Sequence, residues 1–194
     1  MAKRGLLLMF LLLPTASAAA QTVLFDGVVH GDRKGVALLI PTAVTKDDYA
    51  VAGRFEYGLA DRVNLFGLVG GMFNGGSRAL AGGGWAATFY RQSDDFPLNI
   101  GFFNSFTFPV PRDGGPNAFV TVAPVFSHSW ERSSGGRITP YTGATATFKI
   151  NRGGTDFNGL IGVKWTEITE RWDFIAEVQP GERTQFSFGL FYRF

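Results

Sequence analysis

The side chains that could do chemistry in this chain are few, and most are charged groups spaced along alternating segments. Arg54 and Glu56 share one face of such a segment, and Lys149, Lys164, Asp173, Glu177 and Arg193 take the matching face of others. With Thr169-Glu170-Arg171 as a tight turn, antiparallel pairing sets Ile175 opposite Lys164. Lys164 then lies diagonally between Asp173 and Glu177, within reach of both. Such a group has two uses: a selectivity or proton-relay cluster, or a salt-bridge network that fills a narrow interior. The tendency of narrow interiors to be packed by their own side chains favours the second.

Other constellations carry less. His128 and Ser129 bring a base and a nucleophile together, with Glu131 near in sequence, but the spacing places no carboxylate to orient the imidazole. His30 with Asp26 and Asp32 resembles a metal trio, yet Gly27, Gly31 and Gly35 make the segment an ordinary turn region. Gly82-Gly83-Gly84 is not followed by Lys-Ser/Thr and opens no helix, which argues against a phosphate cradle. Its bare backbone instead lets neighbouring side chains pack closely. With no Cys in the sequence there is no disulfide, thiolate ligand or Cys nucleophile. The expectation is a non-enzymatic chain with no catalytic residue, metal or cofactor.

The elements that must position these groups begin after a leader. Lys3 and Arg4 precede an unbroken apolar run at 5–13, which Pro14 ends before the small residues Ala16 to Ala20. This is the pattern of a cleaved secretory signal, placing the signal peptide at 1–20 and the mature domain at 21–194. The run is about half of the roughly 20 apolar residues a spanning helix needs. The absence of Cys after it argues against a lipid anchor. Lys3 and Arg4 account for the net charge of +2: without them 16 basic residues face 16 acidic ones. Nucleic-acid binding therefore gains no support.

Composition narrows the class. Phe supplies 20 residues and Gly 26, while charged residues make up only 18%, fewer than a water-facing surface usually carries. Yet no apolar stretch after residue 20 is long enough for a membrane helix. Strands that alternate between lipid and an interior reconcile the two facts.

From residue 35 the chain reads as period-two segments of about 10 to 13 residues separated by short polar turns. They fall at 35–44, 49–59, 63–73, 80–91, 97–109, 118–130, 138–150, 157–168, 172–179 and 185–194. Asn104 interrupts the apolar face of the fifth and predicts either a bulge there or a different register for that strand. Every connection is expected to span about three to seven residues, too short for a site built on long loops. About ten strands result; eight and twelve also satisfy the even parity of bacterial single-chain barrels. Residues 22–29 are either an added strand or a plug.

The polar faces consist of Gly, Ala, Ser and Thr rather than Lys and Glu, as at Gly82/Gly84/Ala86/Thr88 and Gly143/Thr145/Thr147. Tyr49, Tyr57, Trp130, Trp165, Trp172 and Tyr192 collect near strand ends, where headgroups favour them. The last strand alternates Phe186, Phe188, Leu190, Tyr192 and Phe194. Together with the leader and the alternating hairpins, this resembles small bacterial outer-membrane β-barrel proteins, over nearly the whole mature chain. The resemblance implies an all-β, transmembrane antiparallel β-barrel in the cell outer membrane. It further implies that these five residues form a signal read by the barrel-assembly machinery, and that Phe194 ends in the periplasm. It names no solute. The pair His128 and Ser129 is faintly similar to that of barrel-type lipid A deacylases, but the match fails in detail, since His128 faces lipid in this register.

Three functions follow as expectations. The first is an outer-membrane barrel with a structural role, or a narrow passage in which the glycine-lined lumen leaves room for a thread of water. The second is a membrane-embedded lipid-modifying enzyme using His128. The third is a soluble exported barrel that binds an apolar ligand.

Overall fold

The computed structural model describes residues 34–43, 49–73, 77–109, 118–133, 135–150, 153–181 and 184–194. The leader, residues 22–29, the His30 group and the 111–116 connection lie outside the described residues. Eleven strands and no helix form within them: β1 Lys34–Ala43, β2 Tyr49–Ala60, β3 Val63–Phe73, β4 Ser77–Tyr90, β5 Asn99–Pro109 and β6 Phe119–Ser127. Then come β7 Trp130–Glu131, β8 Arg137–Lys149, β9 Thr155–Thr169, β10 Trp172–Gln179 and β11 Gln185–Arg193.

β6 and β7 are one course of chain, since both pair with β8 in continuous register from Phe119↔Lys149 to Glu131↔Arg137. The interruption at His128 and Ser129 falls opposite Pro140, whose nitrogen carries no hydrogen for the ladder. His128 N–H still donates to the Pro140 carbonyl at 3.3 Å. The sheet thus has ten long courses, all antiparallel. Each pairs with its sequence neighbours, and β1 pairs with β11 from Gly35↔Arg193 to Ala43↔Gln185. Every long strand therefore has a partner on both sides, and the sheet is barrel-like, which hides the edges an open sheet would expose.

Alternation decides the two faces. On β10, Asp173, Ile175, Glu177 and Gln179 are buried while Trp172 is exposed and Phe174, Ala176 and Val178 are half-buried. On β11, Gln185, Ser187, Gly189 and Phe191 are buried against exposed Phe186, Phe188 and Leu190. β2 repeats the pattern, with Ala52, Arg54 and Glu56 inside and Val51, Phe55 and Tyr57 outside. The interior also holds an apolar cluster that includes Phe66, Leu68, Phe103, Val125, Tyr141, Leu160, Ile175 and Phe191.

Two expectations are corrected. Asn104 causes no bulge: β5 pairs without a break from Asn99↔Ser127 to Thr107↔Phe119, with Asn104 opposite Val122 and Trp85. It is a polar residue on the outer face, in phase. The irregularities occur instead between Gly58 and Ala60, between Thr88 and Tyr90, and between Trp172 and Phe174. All three lie near the rim where β11 ends, here called the C-terminal rim. Bulges are over-represented at such rims, where they end pairing or re-aim a side chain. One connection also exceeds the expected length: residues 91–98 make eight. It is held by Gln92 N–H on Asn99 Oδ1 at 2.9 Å and by Ser93 N–H on the Phe96 carbonyl at 2.8 Å.

Candidate functional site

The charged groups of the interior are set by strand phase. Arg54 and Glu56, two apart on β2, form an ion pair, each side chain about 3% exposed. The Arg54 guanidinium lies 4.3 Å from the centroid of the Phe66 ring and 5.6 Å from that of Phe103. Those rings stack at 4.9 Å and 20°. A cation removed from water is thereby held by a carboxylate on one side and two aromatic faces on the other.

Across the interior, β8, β9 and β10 bring Tyr141, Gly162 and Glu177 into one row, with Gly162 opposite both others. A Cβ at Gly162 would lie 2.2 Å from Tyr141 Cζ. The phenol therefore lies across bare backbone and donates to Glu177 Oε2 at 2.8 Å. Gln179 Nε2 donates to Glu177 Oε1 at 2.7 Å. Phe66 does the same over β4, where a Cβ at Gly84 would meet its Cζ at 2.7 Å. Aromatic rings occupy the space above these two glycines. At each, a ring from the adjacent strand fills the space that a missing Cβ leaves.

Lys164 is buried and faces Ile175 in register, diagonal to Asp173 and Glu177. Asp173, fully buried, accepts the Glu167 N–H at 2.8 Å and has Arg193 Nε at 3.5 Å. Arg193 Nη1 reaches Glu167 Oε1 at 3.3 Å, and Nη2 donates to the Glu170 carbonyl at 3.0 Å. Glu167 sits in the bulge with φ of 58°, a left-handed backbone that a non-glycine residue adopts at some cost. Lys149 stands apart at the opposite rim, paired with Asp156 at 2.9 Å.

His128 and Ser129 face different partners. His128 Nδ1 hydrogen-bonds the Pro97 carbonyl at 2.5 Å, and its ring lies 4.6 Å from Trp130. Ser129 Oγ pairs with Thr139 Oγ1 at 2.9 Å, and Gln92 brackets the Ser129 backbone from both sides. No hydrogen bond joins the imidazole to the hydroxyl. On β11, Phe186, Phe188 and Leu190 point outward, Tyr192 lies 5.0 Å from Trp172, and Phe194 lies 6.3 Å from Phe55.

Sequence reasoning did not find Tyr141, Phe66, Phe103 or Gln179 as partners of the charges. A signal existed at Gly162, a bare position flanked on its own face by Leu160 and Lys164, but its meaning depends on which ring faces it from the next strand. Nor did it single out two guanidiniums on the outer face of the C-terminal rim. Arg132 lies 4.7 Å over the Trp165 ring. Arg171 Nη1 donates to the Tyr192 phenol at 3.0 Å. That hydrogen bond raises the Arg171 pKa above the ordinary guanidinium value. Comparison with protein-family models and with curated proteins finds no match to this chain.

Proposed function

We propose that this chain is an exported, non-enzymatic β-barrel of the bacterial outer membrane with a structural role, its interior closed by its own side chains. The observation that carries the reading is the inversion of polarity. Among the described residues, 18 polar or charged side chains are buried while 24 large apolar ones are exposed, among them Val69, Phe157, Ile161 and Phe188. Water disfavours that arrangement on both counts, whereas lipid removes the cost of the outer face. The Phe186-to-Phe194 alternation supports recognition by the barrel-assembly machinery.

A structural role is favoured over a solute passage by the filling of the interior. Arg54, Glu56, Thr121, Thr145, Thr147, Lys164 and Glu177 are all at most 3% exposed, and a water-filled channel would leave its wall accessible. The separation of His128 from Ser129 speaks against the lipid-modifying enzyme. The outward apolar face and filled interior speak against a soluble carrier of apolar ligands.

Heat-modifiable migration on a denaturing gel, from a detergent-extracted outer-membrane fraction, tests the membrane reading. Recovery of the protein from the soluble periplasm without detergent overturns it. In planar bilayers the purified barrel gives a closed trace; steady unitary conductance would restore the passage in place of the structural role.

A further inference from the structure

Along the middles of the long strands the outward side chains are apolar, with two exceptions among the described residues, Thr142 and Asn104. Thr142 is satisfied within the sheet, its hydroxyl donating to the Leu160 carbonyl at 2.9 Å. The Asn104 carboxamide has no hydrogen-bond partner among the described residues. It stands half-buried between Trp85 of β4 and Val122 of β6, with Phe102 and Phe106 on either side along β5.

Asn104 is the sixth of the eleven residues of β5. At about 3.3 Å per residue and a tilt of about 40°, roughly 13 Å of height separates it from either strand end. That is the middle of an apolar band about 25 Å tall. A carboxamide on a single methylene cannot reach the headgroups from there. Hydrocarbon offers it no donor or acceptor, so the amide stays costly until another polar group meets it.

We propose that the outer face of β4, β5 and β6 joins two copies of this chain, with their Asn104 carboxamides paired across a two-fold axis along the membrane normal. A carboxamide both donates and accepts, so it is complementary to itself. All copies insert in one direction, and a second copy therefore presents its own Asn104 at the same depth. A different membrane protein would need a polar group matched in both height and facing. Trp85, Phe102, Phe106 and Val122 surround the paired amides. The neighbouring outward positions of β4, Gly83 and Ala87, have low relief and let the second sheet come close. The inference rests on the membrane reading above, because in water the amide would simply be hydrated.

The test follows energy transfer between donor- and acceptor-labelled full barrels in phosphatidylcholine vesicles as the lipid-to-protein ratio is raised. The dye is carried on Asp94→Cys, an exposed position in the connection before β5, in a chain with no cysteine of its own. Wild type is expected to show transfer above that of randomly placed copies. Asn104→Leu should associate roughly ten-fold more weakly, which corresponds to ~1.4 kcal/mol over two interchain hydrogen bonds. Asn104→Gln, which keeps the amide, should retain most of the association. Unchanged heat-modifiable migration of each variant establishes that the barrel is intact. Random-level transfer in wild type, or equal association of wild type and Asn104→Leu, overturns the interface while leaving the membrane reading standing. An Asn104→Gln barrel that dissociates like the leucine variant overturns the amide pairing. Wild type that is soluble without detergent and not heat-modifiable is the separate failure of the membrane reading.

Discussion

Replacing Gly162 by Ala tests how the interior is filled, because one methyl group should change the sign of its effect with the residue at position 141. In the wild-type chain the added Cβ would meet Tyr141 Cζ at 2.2 Å, Oη at 2.5 Å and Cε2 at 2.6 Å. The ring must move, and with it goes the hydrogen bond to the buried Glu177. Overpacking of this kind costs about 1–3 kcal/mol, and a lost hydrogen bond to a charged group costs about 1.5–3 kcal/mol. Partial relief of one by the other leaves ~2–4 kcal/mol of destabilisation. In the Tyr141→Ala background there is no ring to displace. Glycine within a strand is then a liability of about 0.5–1 kcal/mol relative to alanine, and Gly162→Ala should stabilise. Urea unfolding in detergent micelles, followed by tryptophan fluorescence, measures both arms of the cycle. A Gly162→Ala cost that is the same in both backgrounds would refute the account of a ring lying on bare backbone.

Arg54→Leu should destabilise by about 3–5 kcal/mol in the same unfolding assay, because it takes the buried ion-pair partner from Glu56; joint replacement of Arg54 and Glu56 by methionine should recover most of that loss. Val69, 68% exposed near the middle of β3, should tolerate Arg in water within about 0.5 kcal/mol but cost ~2–4 kcal/mol in a lipid bilayer. Unfolding from lipid vesicles decides between the two, and a negligible cost there argues against a lipid-facing surface. Deletion of Phe194 should reduce the folded, heat-modifiable fraction in cells, through lost recognition at assembly and the lost contact with Phe55; a yield equal to wild type would remove support for the assembly signal.

Much of the sheet was legible because period-two alternation is a local property. Tyr49 to Leu59, Trp172 to Gln179 and the last strand each carry it within one segment. The pairing of Ile175 with Lys164 followed from a single tight turn, and the structure has that register. What escaped depends on relations between strands. Asn104 broke a pattern of polarity without breaking the backbone, since the ladder registers peptide groups and not side-chain type. The bulges at Thr88/Tyr90 and Trp172/Phe174 fall where segments already end, so alternation carried no trace of them. The seven charges shared a face by phase, but grouping them required the positions of strands as far apart as β2 and β10. The direction of the Tyr141 phenol depends on Gly162 of β9 and Glu177 of β10, which no reading of β8 alone supplies.

The ring over Gly162 also bears on errors in strand pairing. A shift by one residue turns every side chain to the wrong face, so the contrast between lipid and interior opposes it strongly. A shift by two restores the faces, and polarity alone hardly distinguishes it from the native pairing. For β8 and β9 such a shift would bring Leu160 or Lys164 beneath the Tyr141 ring in place of Gly162. Neither leaves space for the phenol to cross to β10. The pair thus acts as a keyed joint that rejects even-numbered slips, complementing the alternation that rejects odd ones. Phe66 of β3, lying over β4, is a looser key: Gly82, two residues from Gly84, offers the same bare backbone, and β3 against β4 is where a two-residue misalignment would be tolerated best.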